Sequence, residues 1–225
     1  MNKIQKNINS LPHNWLIHHI YINSLKNNLE YIKGKVIDVG CGKKPFSDII
    51  TQKCYKYIGL EYKKTLHGFS KVDVIGNALN LPFQNSIADT VVSFQTMEHV
   101  YKPEIFLEEI YRILKPNGYC LLMTPFIWGE HEVPYDYFRY TKFGLKYLAE
   151  NAGFKVVHII ADTNHFTTSI IRFNYFLMNY FRGILKLFLI PFFWCTQYLA
   201  LLGEKIIKNL GNETANYTTV LQKSN

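Results

Sequence analysis

Apolar positions along the chain switch between a two-residue and a roughly four-residue period, and the switches mark its elements. Val36, Ile37 and Val39 form a β-branched run that predicts a strand over Lys35–Val39. Gly40 and Gly42 follow at once, and a short helix is expected over Ser47–Gln52. Further short apolar runs predict strands at Tyr57–Leu60, Val72–Ile75, Thr90–Phe94, Tyr119–Met123 and Lys155–Ile160. Pro103–Leu114 sets Phe106, Leu107, Ile110, Ile113 and Leu114 on one stripe, the pattern of an amphipathic helix, and Pro116-Asn117-Gly118 breaks it. Thr141 can cap another helix, with Leu145, Leu148 and Ala152 inward and Gly153 as its stop. Leu25, Leu29 and Ile32 have helical spacing ahead of the first strand, and Asn216–Gln222 reads as a last strand.

Strands and helices therefore alternate. The fold class is α/β, a doubly wound, mostly parallel sheet with helices on both faces. Residues 1–34 are a polar helical lead-in, 35–164 the ligand-binding core, 165–212 an apolar helical insertion, and 213–225 the last strand and tail. Ligands in such sheets lie beyond the carboxyl ends of the strands. The glycine turn, Glu61, Asn77 and Gln95 all fall there. Glu61 stands about twenty residues beyond the turn, where a doubly wound sheet places the acceptor for ribose hydroxyls.

Composition narrows the function. Apolar residues are 48% and charged residues 19%, enough to bury a full core. The net charge of +8 is dispersed, without the Lys/Arg block of a nucleic-acid arm, so no nucleic-acid partner is expected. Cys41, Cys54, Cys120 and Cys195 are scattered and read as reduced thiols of a cytoplasmic protein. The N-terminal stretch MNKIQKNINSLPHNW lacks the apolar core of a signal peptide.

Five motifs in order carry a resemblance. DVGCGKKP, LEY, NALNLPF, ADTVVSFQTMEHV and EEIYRILKPNGYCLLMTP follow one another between Lys35 and Ile160. In this order they resemble the class I S-adenosylmethionine-dependent methyltransferases, of the methyltransferase type 11 group. The resemblance implies a seven-stranded Rossmann-like sheet, a last strand antiparallel beside the sixth, and S-adenosyl-L-methionine as cofactor. It implies that Asp38, Gly40 and Gly42 surround the methionine moiety, with Cys41 in the turn. Glu61 would hold the ribose hydroxyls, with Tyr62 near the adenine. Asn77 would face the adenine amino group and Ala78 its ring. Gln95 backbone would position the amino-acid end. Two positions depart from the pattern: Lys44 replaces a third glycine, and Asn77 replaces an aspartate whose acceptor role an amide oxygen can keep.

The acceptor side is expected from Gln95–Val100 and the Thr124–Tyr140 loop. The run Pro134-Tyr135-Asp136-Tyr137-Phe138-Arg139-Tyr140-Thr141 resembles a motif of bacterial methyltransferases linked to polysaccharide or glycolipid pathways, with Tyr135 where histidine is common. His131 and His99 remain as imidazole candidates, and Asp136 and Arg139 either join the chemistry or pair to brace the loop. Glu130-His131-Glu132 lacks the spacing of a helical zinc motif, and no metal is expected. Transfer to oxygen of a glycan or lipid-linked glycan is the expected reaction. A quinone-like hydrophobic acceptor is the rival enzyme reading, and an inactive membrane-attached binding module the rival from another class.

Residues 165–209 are surplus to the core. Leu187–Gly203 is free of charge but interrupted by Pro191, and Arg182, Lys186, Lys205 and Lys208 flank it. Phe166–Phe181 contains Arg172, Asn174 and Asn179, which makes it a poor membrane span. Two helices lying in one leaflet at the inner face of the cytoplasmic membrane is one expectation. A helical cap or homodimer interface is the other.

Overall fold

The sheet grows outward from β1 (Lys35–Val39), whose Val36, Ile37 and Val39 are fully buried. The structure, a computed structural model, describes residues 12–64, 68–208 and 212–225. Residues 1–11 of the expected lead-in and 209–211 of the expected insertion lie outside the described residues. On one side β1 pairs in parallel with β2 (Lys56–Glu61), which pairs with β3 (Val74–Ile75). On the other it pairs with β4 (Ala88–Phe94), which pairs with β5 (Leu114–Pro125). β7 (Asn216–Lys223) lies antiparallel between β5 and β6 (Phe154–Ala161), giving the order β3-β2-β1-β4-β5-β7-β6. The last strand thus lies antiparallel beside the sixth, as expected, and pairs with the fifth on its other side.

Each face of the sheet has its own core. Ile37 and Val39 pack towards Phe106, Leu107 and Ile110 of α3 (Pro103–Ile113) and Leu145 and Ala149 of α4 (Lys142–Asn151). Thr141 caps α4 by accepting the Gly144 N–H at 3.1 Å. Val36, Val92, Leu121 and Met123 face Ile49 and Ile50 of α2 (Ser47–Ile50) and Leu16, Ile17, Ile20 and Leu25 of α1 (Trp15–Lys26). α1 stops before Leu29 and Ile32, which the helical spacing had included. The Asn28 amide donates back to the Ser24 carbonyl at 2.8 Å and its oxygen meets His158, so the chain leaves the helix for a single 3-10 turn at Leu29–Tyr31. The expected break at Pro116-Asn117-Gly118 is a bulge within β5: pairing jumps from Ala88↔Leu114 to Thr90↔Tyr119, with Asn117 at φ 61°.

The insertion forms α5 (His165–Tyr180), α6 (Leu185–Phe188) and α7 (Ile190–Ile206). Ile171 and Ala200 join the same core face as α1. Gln197, fully buried, seals the α1–α7 seam. Its oxygen accepts the Leu16 N–H at 2.8 Å and its amide donates to the carbonyls of Pro12 at 2.5 Å and Phe193 at 2.8 Å. Gln197→Leu strands that N–H in an apolar setting, a loss of roughly 3 kcal/mol. Thermal melts should show Tm falling by roughly 10 °C, and an unchanged Tm would mean the seam carries no stability.

Candidate active site

The parallel strands point their carboxyl ends at one cavity of about 280 Å³. β1 enters it through a turn that only left-handed backbone can make: Gly40 has φ 78° and Gly42 φ 49°. Gly40 and Cys41 both donate their N–H to the Leu60 carbonyl, at 2.9 and 3.0 Å, which locks the turn onto β2. A Cβ on Gly40 would stand 2.2 Å from Thr96 Oγ1. Glu61, at the end of β2, is fastened to the same turn. Its Oε2 accepts the Gly42 N–H and its Oε1 the Tyr62 N–H, both at 2.8 Å. Each oxygen keeps a second lone pair, and Glu61 lines the cavity.

Six of the nine residues expected to hold the cofactor line this space: Gly40, Glu61, Tyr62, Asn77, Ala78 and Gln95. Asp38, Cys41 and Gly42 do not. Asp38 is buried and takes the Tyr57 hydroxyl as its partner. Burial pushes its carboxyl up to about 7, against the Tyr57 hydrogen bond and the Lys44 charge. The buried Cys41 thiol is pushed up to about 12 by burial first, then by Asp38 and Glu61, so it stays a thiol. Asn77 spends one lone pair on a local turn, accepting the Leu79 N–H at 3.0 Å. Gln95 sits at φ 53°, donates its N–H to the Met123 carbonyl at 2.8 Å, and gives its side-chain amide to Asn216 at 2.7 Å.

Lys44 occupies a left-handed position at φ 52°, the conformation that suits the replaced glycine. Its ammonium pairs with Asp73 and lies 5.0 Å from the centre of the Tyr57 ring. The side chain crosses β2 at Gly59, where a Cβ would come within 2.2 Å of Lys44 Cε. Gly59 and Asp73 are thus part of the site's frame, which the linear sequence did not single out.

Asp38 also makes a prediction. Its folded carboxyl titrates near 7 and an unfolded one near 3.9. Between these values the folded state holds the extra proton, so this group's share of stability is present at low pH and lost as pH rises to about 7. Asp38→Asn should match the wild type near pH 4 and exceed it above pH 7, by a few kcal/mol. Denaturant midpoints at pH 4.5 and 7.5 check it, and a gap that does not widen with pH sinks it.

At the far end the cavity is walled by His99, Tyr101, Glu132, Tyr135 and Tyr137. Of the four catalytic candidates, His99 alone reaches the cavity wall. Burial lowers the His99 pKa, and its Nδ1 lies 2.9 Å from the Tyr135 carbonyl oxygen. Asp136 and Arg139 are joined by two short bonds, Nη1–Oδ1 at 2.7 Å and Nη2–Oδ2 at 2.6 Å. Arg139 also donates to the Gly129 and Phe138 carbonyls, at 2.8 and 2.7 Å. Burial alone would raise the Asp136 carboxyl, but the bonds from Arg139 and the His131 N–H outweigh it and hold it at about 2. The pair braces the Thr124–Tyr140 loop. That loop is pinned to the end of β4: Tyr137 and Phe138 N–H reach the Glu98 carbonyl, at 2.9 and 3.3 Å, and the Tyr140 hydroxyl reaches the Met97 carbonyl at 3.1 Å. Closing the loop buries the Glu98 side chain completely, and burial pushes its carboxyl up to about 8. Reasoning from the sequence passed over Glu98; an acid between Met97 and His99 gives no hint of its burial.

The residues present fit S-adenosylmethionine: bare peptide at Gly40, an acid with spare lone pairs at Glu61, and a polar amide at Asn77 beside the small apolar side chain of Ala78. Residues 37–122 match the family model for a methyltransferase domain. A probable S-adenosylmethionine-dependent methyltransferase of Mycolicibacterium smegmatis is 33% identical over 96 residues, covering 40% of this chain and 37% of its own. A demethylmenaquinone methyltransferase of Anoxybacillus flavithermus is 28% identical over 123 residues, covering 47% and 52%. The chain spans between about a third and half of the length of these curated relatives. Among solved structures, a putative methyltransferase from Bacillus halodurans superposes with a TM-score of 0.59 at 16% identity, over 91% of this chain and 99% of its own, which shows the shared fold. By matched motifs and by sheet order alike, residues 37–122 match a methyltransferase domain, and the sheet around them has the fold of the S-adenosylmethionine-dependent methyltransferases that the chain is similar to.

Proposed function

We propose that the chain moves the methyl group of S-adenosylmethionine to a hydroxyl oxygen of a glycan or lipid-linked glycan precursor, at the inner face of a membrane. One observation carries the reading: a single cavity runs from Glu61 and Asn77 to a far end walled by Tyr101, Tyr135 and Tyr137. Exposed tyrosine rings offer an apolar face for a sugar and a hydroxyl for its polar edge. In the reaction the acceptor oxygen attacks the methyl carbon in line, the carbon–sulfur bond breaks with its electrons passing to sulfur, and the hydroxyl proton leaves. Alignment is the protein's main contribution.

The membrane part rests on the insertion. Phe173, Phe176, Phe188, Leu199, Leu202 and Ile206 are exposed on α5–α7, and Arg182, Lys186 and Lys205 flank them. Leu185–Ile206 is long and apolar enough to cross a membrane, and only 17% of its most apolar 18 residues is buried, unlike the core helix of a soluble protein. A single crossing would put β6 and β7 on opposite sides, whereas they pair along their length. Helices lying in one leaflet, with basic side chains at anionic headgroups, satisfy both facts.

Flotation of the full chain with anionic vesicles tests the surface. The wild type should rise with the vesicles, and Phe188→Glu/Leu199→Glu/Leu202→Glu should stay behind. A concentration-dependent dimer with no flotation would assign the face to a second copy instead. Labelled S-adenosylmethionine with a lipid extract tests the acceptor, and label in a lipid-linked glycan is the expected result. The demethylmenaquinone methyltransferase relative favours a second reading, a lipid quinol acceptor. Label in demethylmenaquinol alone would select it.

A further inference from the structure

The back of the far wall holds three side chains that methyl alignment does not use. Glu98 is fully buried, and neither carboxylate oxygen has a hydrogen-bond partner on another residue. A buried carboxylate left in that condition is costly unless it keeps its proton or a cation meets it. Two imidazoles point at it: His99 Nε2 and His131 Nε2 lie 3.9 and 4.0 Å from Glu98 Oε1.

The outer nitrogens decide which atoms carry protons. His99 Nδ1 faces the Tyr135 carbonyl oxygen at 2.9 Å, which can only accept. That nitrogen therefore donates, and Nε2 presents a lone pair. His131 Nδ1 has three neighbours at 3.3 Å: Asp136 Oδ2, the Gly129 carbonyl oxygen and Arg139 Nη2. Arg139 Nη2 gives its two hydrogens to Gly129, at 2.8 Å, and Asp136, at 2.6 Å. None is left for the ring, so His131 Nδ1 also donates and its Nε2 lone pair faces Glu98. An acceptor behind each imidazole, itself held by further bonds, is how proteins orient histidines towards a metal.

We propose that Glu98, His99 and His131 bind one divalent transition-metal cation at the wall of the acceptor cavity. Their ligand atoms all lie within 4.8 Å of one another. Two imidazoles with one carboxylate suit Zn²⁺, Mn²⁺ or Fe²⁺ better than the all-oxygen shells of Ca²⁺ or Mg²⁺. Bonds of about 2.1 Å put ligand atoms roughly 3.4 Å apart, so each imidazole must close on Glu98 by about half an ångström, and ligand atoms at the 4.8 Å limit by about 1.4 Å. Glu130 and Glu132 flank His131 in the sequence, yet the fold carries its ring to the end of β4 instead. His99 lines the cavity, as does Glu132, whose carboxylate is 4.0 Å from His99 Nε2, so the ion's open positions face the acceptor. The role of the ion, though not its binding, rests on the methyl-transfer reading. A hydroxyl on the ion loses its proton to water more readily, and the resulting oxygen anion attacks the methyl carbon.

The test uses the full chain, stripped with a chelator and titrated separately with Zn²⁺ and Mn²⁺, with bound metal counted after gel filtration. One equivalent of at least one ion should remain on the wild type. Glu98→Gln and His131→Asn should each bind it at least tenfold more weakly while giving the wild-type heat with S-adenosylmethionine. Should one variant fail to fold, the other decides. A wild type that retains no ion, or a folded Glu98→Gln that retains as much, overturns the proposal. The heat with S-adenosylmethionine is a separate readout: its absence in the wild type would remove the methyl-transfer reading and leave the ion count standing.

Discussion

Gly40→Val should weaken S-adenosylmethionine binding by at least a hundredfold, about 3 kcal/mol. Two effects add. The backbone at Gly40 has φ 78°, which a β-branched residue adopts at a penalty of about 1–2 kcal/mol. The new Cβ would also meet Thr96 Oγ1 at 2.2 Å and Cγ2 at 2.4 Å, and both residues line the cavity. Relief of that clash displaces either the turn or Thr96, and each displacement reshapes the donor end. Gly68→Val is the control for backbone strain. Gly68 has φ 75° but nothing within 4 Å of its added Cβ, so its variant carries the backbone strain without the clash. Calorimetry with S-adenosylmethionine should show a loss in Gly40→Val and wild-type heat in the Gly68 variant, which lies outside the cavity lining. Wild-type affinity in Gly40→Val would place the donor elsewhere in the molecule.

Glu61→Ala should lose between a hundredfold and a thousandfold in the same affinity. The side chain organises two backbone donors at once, Gly42 N–H and Tyr62 N–H, from opposite ends of one carboxylate. Charge-assisted bonds of this kind are worth about 1.5–3 kcal/mol each. Truncation frees the turn and removes the lone pairs that face the cavity. Glu61→Gln should fall between the two, because an amide offers one acceptor oxygen where the carboxylate offers two. Equal heats for wild type and Glu61→Ala would mean that this acid anchors the turn and touches no ligand.

Local pattern reveals the parallel core of this chain but not what its site residues do. The β-branched run at Val36–Val39 and the stripe on α3 each declare their element within a few residues, because burial of one face imposes the period. Bounds shifted where a side chain competed with the backbone, as Asn28 does at the end of α1. Side-chain partners are less legible. Asp38 sits in the motif that resembles a donor-binding turn, and its carboxylate takes the Tyr57 hydroxyl while Gly40 lines the cavity. The meeting of Glu98, His99 and His131 depends on a loop that folds back over the end of β4 and is held there by Tyr137, Phe138 and Tyr140. No spacing along the chain encodes that closure, since its determinants are two main-chain bonds and one tyrosine hydroxyl bond across about forty residues of sequence.

The helical excursion between β6 and β7 leaves and rejoins the sheet side by side, because Ala161 is paired with Tyr217. An appendage rooted at a single point places no demand on strand register, whatever its length. Evolution is thus free to trim or resurface its exposed side while the donor-binding machinery stays as it is, with the contacts of Ile171, Ala200 and Gln197 to the α1 face kept or tailored anew.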